Sequence, residues 1–375
     1  MSDEKDRCDV LFLISSLCGG GAEKKTTLLA NSLAARGYST AILTTEPATE
    51  MDFKIDPLVR RLELQRYDSG KRSLAARLRG VLRRIRRTRR HLRTLQAHHV
   101  VSLGHAEGLL ALLSMPQGSQ HTIWTMVSSN APESRDPRYR ILFCLARLKG
   151  IRLVTQTAVI EREYQAQGFT NLTTIPNPVY ASPPRHFEPE YRSPFHLITV
   201  GRLIPQKSYG TLLDALNMLN SRQKDWRCTL VGDGPDRELL ESQALTGGIR
   251  DKVTFFGWSD DVRTMLKKAD AFIMTSLFEG QPNALLEAMS ESIPCISTDF
   301  EGGAARALLG ENQAGLIVPV GDVEGIAKAI EQLVLDSNLR KELGVRARQA
   351  VKPFEIDFVT DKWVNMLGLA RNPRP

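Results

Sequence analysis

Two glutamates in the second half of the chain stand eight residues apart, in surroundings that favour chemistry on a bound ligand. The segment between Glu279 and Glu287 begins with residues 280–283, which include glycine, proline and asparagine. An apolar run at 271–274 precedes the pair and 294–296 follows it, so the stretch predicts strand, turn, helix and strand. One carboxylate in the turn and another one turn up the helix could flank a ligand.

The start of that predicted helix is a candidate anion site. Asn283 would cap the helix, with Ala284 and Leu285 in its first turn. The backbone amides at a helix start have no partner within the helix and favour a negative charge in front of them. The stretch therefore predicts two carboxylates beside a ligand that carries phosphate. The alternative is two surface carboxylates at helical spacing.

A second candidate lies on the loop after the predicted strand 196–200. Arg202 and Lys207 stand five residues apart on this loop. A guanidinium can bind a phosphate with two parallel hydrogen bonds and an ammonium acts as a point charge, so the pair could face the phosphates of a ligand. Because surface loops commonly carry Arg and Lys, the pair alone is a weak indication.

Near the amino terminus, three consecutive glycines separate a predicted strand from a predicted helix. The strand is 10–15, the helix is 22–35 and the next strand is 40–44, which is the opening of a doubly wound sheet. Gly20 and Gly21 would let the backbone come close to a bound group. The alternative is a tight turn that needs positive φ and touches no ligand, and the GxGxxG spacing of nicotinamide-binding folds is absent.

His105 is a further candidate catalytic residue. It follows the predicted strand 100–102, at the carboxyl end where open α/β sheets place their site residues. The alternative is a hydrogen-bonded structural histidine.

The segment 71–93 is strongly basic and predicts a helix. Its apolar residues fall at steps of three, four or seven and form one stripe: Leu74, Leu78, Val81, Ile85, Leu92 and Leu95. It has no acidic residue and eleven basic ones: Lys71, Arg72, Arg77, Arg79, Arg83, Arg84, Arg86, Arg87, Arg89, Arg90 and Arg93. Anionic lipid, at about 1 kcal/mol per nearby basic residue, or nucleic acid would offset their mutual repulsion. The alternative is a core-packed helix with a solvated outer face.

Length and composition limit the class of protein. The chain has 375 residues, 42% hydrophobic and 25% charged, which suits two ordinary domains. The five cysteines are scattered without a CxxC pair, so they indicate reduced core residues rather than zinc ligands. We expect a cytoplasmic protein, because the start of the chain lacks a signal-peptide pattern and no apolar run approaches a membrane span. The proline-rich stretch 178–194 predicts a linker between domains.

Five ordered motifs closely resemble those of the retaining GT-B glycosyltransferases of family 4. They are GGGAEK, VGRLIPQK, VGDGP, VTFFG and SLFEGQPNALLEAM, and the resemblance is strongest over 198–330. It implies an α/β fold with two Rossmann-like doubly wound domains facing across a cleft and a C-terminal helix that crosses back to the first domain. The implied acceptor domain is 1–178 with the crossover helix at about 355–375. The implied nucleotide-sugar donor domain is 179–354.

The resemblance also implies roles for the candidate residues of the second half. Arg202 and Lys207 match the pair that neutralises the donor diphosphate. Glu279 matches the glutamate near the transferred sugar, and Glu287 matches the one bonded to the ribose hydroxyls. The amides at 283–285 match the helix start that faces the phosphates.

In the first half, Gly20 and Gly21 match the glycine loop near the diphosphate and the acceptor. The chain departs from the family pattern at two positions. Ser292 stands where the family usually has glycine, and Arg306 stands in a loop where a glutamate usually follows the glycines. Because that loop lies near the donor sugar in the family, the departure at Arg306 concerns the identity of the sugar.

The favoured hypothesis is a retaining, metal-independent enzyme that needs no cofactor beyond its nucleotide-sugar donor, a UDP-sugar rather than a GDP-sugar. It would move a hexose or N-acetylhexosamine to a lipid-linked acceptor, a polyprenyl-diphosphate-linked glycan. Segment 71–93 would dock on an anionic membrane surface or grip the acceptor diphosphate, which places the protein peripherally on the inner face of the cell membrane. The alternatives are a soluble acceptor, or a catalytically silent relative that binds nucleic acid or a partner through 71–93. Nucleic acid is the less expected ligand.

Overall fold

The computed structural model describes residues 7–64, 74–115, 122–127, 144, 152–180, 182–183, 193–222 and 225–370, with the backbone alone at 74–78, 105 and 122–127. The chain divides into two compact units, Met1–Pro178 with Ile356–Pro375, and Val179–Glu355. Within the described residues, each unit contains a parallel sheet with helices packed on both faces. The α/β doubly wound architecture predicted from the alternation of strands and helices is confirmed.

The described strands of the first unit are β1 (Val10–Ile14), β2 (Thr40–Thr44), β3 (Arg60–Glu63), β4 (His99–Leu103), β5 (Thr122–Val127), β6 (Arg152–Thr155) and β7 (Leu172–Thr174). They lie in the order β3-β2-β1-β4-β5-β6-β7. The chain moves outward from β1 through β2 on one side and from β4 through β5 on the other, so the direction of winding reverses between β1 and β4. Ligands of open α/β sheets bind outside the carboxyl ends of the strands at such a switch point.

The described helices of the first unit before the linker are α1 (Gly21–Ala35), α2 (Leu74–Leu95), α3 (His105–Ser114) and α4 (Ala158–Ala166). Alternate residues of β1 point to opposite faces of the sheet. Leu11 and Leu13 pack in the cluster that includes Leu92 of α2, whereas Phe12 packs in the cluster that includes Leu33 of α1. Burial on both faces explains why the strand is apolar at every position.

The described strands of the second unit are β8 (Phe195–Val200), β9 (Trp226–Val231), β10 (Val253–Gly257), β11 (Ala271–Met274), β12 (Cys295–Thr298) and β13 (Gly315–Val318). Its helices are α5 (Tyr209–Arg222), α6 (Arg237–Thr246), α7 (Val262–Lys267), α8 (Asn283–Ser290), α9 (Val323–Leu335) and α10 (Ser337–Ala350). The strand order is β10-β9-β8-β11-β12-β13, so the switch point lies between β8 and β11.

The C-terminal helix, α11 (Ile356–Leu367), packs on α1 and belongs to the first unit. Trp363 is 1% exposed and lies in the same apolar cluster as the α1 residue Leu33. Arg36 forms ion pairs with Asp357, at 3.0 Å, and with Asp361. The chain therefore returns to the first unit after the second is complete.

The start of the predicted linker 178–194 packs as part of the second unit. Val179 donates its amide hydrogen to the carbonyl of Phe354 at 2.8 Å. Arg348 donates to the carbonyl of Ser182 at 2.9 and 3.0 Å and pairs with Glu355. The two segments that run between the units are thus joined to each other, and residues 184–192 lie outside the described part of the chain.

The helix predicted in the basic segment is present as α2, but the predicted apolar stripe is wrong at Val81, which is 52% exposed. The buried positions within the described side chains are Gly80, Thr88, Leu92 and Leu95, a face that starts one residue earlier. Successive helical residues are about 100° apart, so this offset turns Val81 away from the core. The side chains of 71–78 lie outside the description.

Some arginines of α2 form hydrogen bonds within the fold, and Arg89 is an example. Arg89 donates to the carbonyls of Leu113 at 3.0 Å and Ser114 at 3.2 Å, the last residues of α3. A cation at a helix C-terminus satisfies unpaired carbonyls and interacts favourably with the helix dipole. In the described part of the chain, no helix combines the length and apolar character needed to cross a membrane.

Candidate active site

The loops that follow β8 and β11 meet at the switch point of the second sheet. The amide of Leu277 donates to the carbonyl of Gln206 at 2.8 Å, and the Gln206 side chain donates to the carbonyl of Phe278 at 2.8 Å. A short 3-10 turn, Pro205–Lys207, places Lys207 at the end of the first loop. These contacts hold the two loops side by side, although they are about 70 residues apart in sequence.

Lys207 and Glu279 form an ion pair at this junction. Lys207 Nζ donates to Glu279 Oε1, and the side chains are 18% and 11% exposed. The hydroxyl of Ser276 donates to the same carboxylate oxygen at 2.7 Å. The structure thus brings two of the predicted site residues into contact in a partly buried position.

Tyr209, the first residue of α5, and the stem of Lys207 both lie close to Gly201. A Cβ added at Gly201 would lie 2.9 Å from the Tyr209 hydroxyl and 3.1 Å from Lys207 Cε, so a side chain at Gly201 would displace both groups. Burial raises the pKa of Tyr209 above its usual range, the hydrogen bond with Thr199 opposes this, and the charge of Glu279 adds to it. The phenol therefore stays neutral.

Arg202 lies on the first loop with its side chain exposed, and it forms no ion pair with a described residue. The loop backbone is held by the amide of Leu203, which donates to the carbonyl of Asp233 at 3.0 Å. A Cβ at Gly234 would lie 2.3 Å from the Leu203 carbonyl oxygen, so glycine is needed for this approach. Arg202 can therefore turn toward an anion without breaking a contact within the described fold.

The sequence predicted Asn283 as the N-cap of α8, and this prediction is wrong. Pro282 occupies the N-cap position, and Asn283 is the first helical residue. Proline has no amide hydrogen and a fixed φ, so it ends the preceding turn without needing a partner. The first bond between helical turns runs from the amide of Leu286 to the carbonyl of Pro282. The amides of Asn283, Ala284 and Leu285 are therefore those that a helix leaves without an internal acceptor.

Glu287 lies one turn further along α8 and is half-buried. The structure places it on the helix whose start faces the carboxyl edge of the sheet, whereas Glu279 lies in the turn before that helix. The roles carried over for these residues remain predictions.

The loop after β12 packs against the turn that carries Glu279. Gly302 has φ +101°, and a Cβ there would lie 2.9 Å from the carbonyl oxygen of Glu279. Arg306, at the start of a π-helical turn, forms an ion pair with Asp299, and this hydrogen bond raises the pKa of the guanidinium. The sequence departure at Arg306 therefore lies in a loop that contacts the candidate site.

The glycine loop of the first unit lies at the switch point between β1 and β4. Gly19 has φ +72°, whereas Gly20 is the extended N-cap of α1 and Gly21 is its first residue. A Cβ at Gly20 would lie 2.0 Å from the Glu23 carboxylate, which shows that this side chain folds back over the helix start. Burial lowers the pKa of Lys25 to about 8, and the charge of Glu23 opposes the shift.

His105 is the first residue of α3, and its side chain lies outside the description. Its neighbour Gly104 is the N-cap, with φ +94°, and a Cβ there would lie 3.1 Å from the carboxylate of Glu107. Glu107 thus has the same position relative to α3 as Glu23 has to α1. Whether His105 is catalytic stays a prediction.

Sequence reasoning missed three residues of the second site: Thr275, Ser276 and Tyr209. Small hydroxyl residues directly after a buried strand were a usable signal, because the carboxyl ends of parallel strands form the site edge. In the described part of the chain, no group of three or more His, Cys, Asp or Glu side chains could hold a metal ion.

Comparison with known families gives a match for the second unit. Residues 185–350 match the family model described as "Glycosyl transferases group 1". The second unit therefore has the sequence of a group 1 glycosyltransferase domain. This match covers the second unit, which carries the Lys207–Glu279 pair.

Two relatives show how far the likeness of this chain to known glycosyltransferases extends. The lipopolysaccharide core biosynthesis glycosyltransferase LpsE of Rhizobium meliloti is 36% identical over 173 residues, which span 46% of this chain and 49% of LpsE. A Campylobacter jejuni α-1,4-N-acetyl-D-galactosaminyltransferase, named for an acceptor linked to PP-undecaprenol, is 26% identical over 372 residues, 97% of this chain and 99% of that enzyme. This chain therefore spans about half of LpsE and nearly all of the Campylobacter enzyme.

Among solved structures, a mutant of Staphylococcus aureus TarM in complex with fondaparinux, α-GlcNAc-glycerol and UDP has a TM-score of 0.77. The match covers 96% of this chain and 100% of TarM at 13% sequence identity. At that identity, the likeness shows the GT-B fold alone.

Proposed function

We propose that this protein is a retaining, metal-independent glycosyltransferase that moves a hexose or N-acetylhexosamine from a nucleotide-diphosphate sugar to a membrane-associated, polyprenyl-diphosphate-linked glycan. The observation that carries the proposal is the Lys207–Glu279 ion pair at the switch point of the second sheet, beside the start of α8. A cation, a carboxylate and the amides of a helix start at one edge suit a ligand that has both phosphates and hydroxyls.

The charges of the site match the change of charge in the reaction. Breaking the anomeric bond leaves a nucleoside diphosphate with additional negative charge. Lys207, Arg202 and the amides of 283–285 would stabilise that charge as it grows, and fixed donors in a partly buried site do so more effectively than water. Glu279 would bind hydroxyls of the transferred sugar, and Glu287 those of the ribose. In the proposed reaction the acceptor loses its proton on the donor's own phosphate face.

The proposed acceptor and donor are supported by relatives. The Campylobacter enzyme, similar over nearly the full chain, is named for an acceptor linked to PP-undecaprenol. A UDP-sugar rather than a GDP-sugar is the proposed donor, and the complex of TarM, a protein of the same fold, contains UDP. The finer assignment to family 4 belongs to the same proposal.

The exposed face of α2 supports a membrane location. Arg83, Arg86, Arg87, Arg90 and Arg93 are exposed. Their spacing places them on one side of the helix, opposite the buried positions. A basic helical face attracts anionic headgroups, and it could equally bind the diphosphate of the acceptor. We therefore place the protein on the inner face of the cell membrane, attached peripherally.

A panel of nucleotide sugars tests the proposal. The true donor should stabilise the fold by mass action, by about 2.7 kcal/mol at a concentration 100 times its Kd. We expect one UDP-sugar to raise the melting temperature, and the same compound to label a polyprenyl-diphosphate glycan in the presence of enzyme. The control is Lys207→Ala, which should lose both responses. Absence of any stabilisation or transfer across UDP- and GDP-sugars would contradict the proposal.

A further inference from the structure

Ser276 forms hydrogen bonds both with Glu279 and with Thr298. It follows the end of β11 and is fully buried. Its hydroxyl donates to Glu279 Oε1 at 2.7 Å, and its carbonyl accepts a hydrogen bond from the hydroxyl of Thr298 at 2.7 Å. Since Thr298 ends β12, Ser276 is attached to the neighbouring strand through its backbone and to the candidate site through its side chain.

The preceding residue, Thr275, holds the other half of the ion pair. Its hydroxyl lies 3.0 Å from the carbonyl oxygen of Lys207 and 3.2 Å from that of Ser208. Ser208 has φ +50°, a left-handed conformation in which the chain turns sharply. Two consecutive residues thus fix the backbone that carries Lys207 and the carboxylate of Glu279.

The two carboxylate oxygens of Glu279 differ in the number of hydrogen bonds that they accept. Oε1 accepts from Lys207 Nζ and from the Ser276 hydroxyl, whereas Oε2 accepts from no described residue. A glutamate in a turn has several rotatable bonds, and a reaction requires its carboxylate to be held within about 0.5 Å of the productive position. The two bonds at Oε1 leave Oε2 as the oxygen with acceptor capacity to spare.

Once a donor is bound, its anionic diphosphate competes with the carboxylate of Glu279 for the ammonium group of Lys207. The Ser276 hydroxyl is neutral and fully buried, so the phosphates do not compete for it. We propose that Ser276 is a positioning residue of the transfer reaction, which keeps Oε2 of Glu279 directed at a hydroxyl of the donor sugar while Lys207 turns to the diphosphate. This inference rests on the proposed glycosyltransferase function.

Steady-state kinetics of Ser276→Ala test the inference. The variant keeps the backbone contact to Thr298, so we expect a melting temperature close to that of the wild type. Loss of a hydrogen bond to a charged group should lower kcat by about 10- to 100-fold. The donor KM and the inhibition constant of the free nucleoside diphosphate should change by less than about 3-fold, because Arg202, Lys207 and α8 bind the phosphates. Ser276→Thr, which retains a hydroxyl, should recover most of kcat.

The matched control is Ser297→Ala. Ser297 is also fully buried, and its hydroxyl donates only to the carbonyl of Thr298 at 3.0 Å, so its loss should leave kcat unchanged. A kcat for Ser276→Ala within 2-fold of the wild type, or an equal loss in Ser297→Ala, would overturn the positioning role while leaving the proposed function intact. Absence of transfer by the wild type would overturn the proposed function and this role with it.

Discussion

Each of the two units contains its own doubly wound parallel sheet, but their charged side chains lie at different places relative to that sheet. At the switch point of the second sheet, Lys207 and Glu279 are paired, and both are less than one-fifth exposed. At the switch point of the first sheet, glycine N-caps start α1 and α3, and the carboxylates of Glu23 and Glu107 fold toward them. The first unit also carries a group of exposed arginines on the outer face of α2.

This difference distinguishes the contribution of the fold to a binding site from the contribution of the side chains. Both sheets provide an edge where loops and helix starts converge. In the second unit the amides at the start of α8 have no carboxylate of the first helical turn over them, since α8 has no acidic residue there. In the first unit, Glu23 and Glu107 offer their own negative charge at the corresponding places. The second edge therefore suits a phosphate, and the first suits a ligand that is neutral where it meets the helix starts.

The largest effect should follow from neutralising the carboxylate of the second switch point. In Glu279→Gln, the side chain keeps its size but loses the charge that pairs with Lys207 and binds the donor sugar. We expect transfer to fall by about 1,000-fold, the range found when a single group that stabilises the transition state is removed. The measurement is kcat with the donor found by the panel, at saturating acceptor.

Glu301→Gln is the control for that variant. Glu301 is exposed, and its backbone amide lies 3.4 Å from the carbonyl oxygen of Leu277, so it is close to the same turn without contacting Lys207. We expect normal activity from it. Full activity of Glu279→Gln would mean that the second edge is not the reaction centre, and the comparison of the two units would lose its functional basis.

The next largest effect should be on membrane binding, after neutralisation of the exposed arginines of α2 in the first unit. Replacing Arg83, Arg86, Arg87 and Arg90 with glutamine should weaken binding to vesicles that contain anionic lipid by at least about 100-fold, since each basic residue near such a surface contributes about 1 kcal/mol. Cosedimentation at low ionic strength measures the affinity, and added salt should weaken wild-type binding in the same direction.

The control for the arginine variant removes the same charge from the second unit, at four exposed lysines: Lys267, Lys268, Lys328 and Lys341. Vesicle binding should survive this change if the face of α2 is the docking surface. An equal loss in both variants would instead indicate that net charge alone draws the protein to the membrane, and that the first unit has no special role.

Much of this organisation could be predicted from sequence because its signals are local. Strand β2 matches its predicted bounds, and α1 ends at Ala35, the predicted last residue, with Gly37 following at φ +89°. The order of strands and helices was sufficient for two doubly wound sheets. The turn that carries Glu279 was also readable, since glycine and proline interrupt the pattern between a buried strand and a helix.

What could not be predicted depends on contacts between distant segments. The bond from Lys207 to Glu279 joins residues 72 positions apart, and nothing in either loop alone indicates it. The face of α2 was misassigned at Val81 because a helix with arginines on most sides offers several weak apolar stripes, and only α3 and the sheet select one. Asn283 is a favourable cap by residue type, but the preceding proline already fixes the backbone there.

A pair of glycine substitutions, one in each unit, should differ in how much they lower the free energy of unfolding. Gly232 has φ +140°, and a Cβ there would lie 2.0 Å from the carbonyl oxygen of Gly201, so Gly232→Ala requires the backbone to move. At Gly20 the nearest atom is the end of the Glu23 side chain, which can rotate away. We expect a loss of about 3 kcal/mol or more in unfolding free energy for Gly232→Ala and less than about 1 kcal/mol for Gly20→Ala.

Scanning calorimetry of the two alanine variants gives the comparison directly. The second unit should melt earlier in Gly232→Ala, and the first unit should be nearly unchanged in Gly20→Ala. Equal destabilisation would mean that the loop at Gly20 is as tightly constrained as the one at Gly232, which would contradict the difference drawn between the two edges.

The smallest effect should come from the end of α8, which is followed by a different type of residue from the one that follows α1 in the first unit. The first unit ends α1 with Gly37 in a positive-φ conformation, whereas α8 is followed by Ser292 at φ +59°. A side chain in that region is strained, so Ser292→Gly should stabilise the second unit by up to about 1 kcal/mol. The matched variant is Ser290→Gly, two residues earlier within α8, where glycine should instead destabilise by about 1 kcal/mol. Opposite shifts in the melting temperature of the second unit are expected from the same chemical change. Shifts of the same sign would show that the loss of the serine side chain, and not the backbone conformation, determines stability at this helix end.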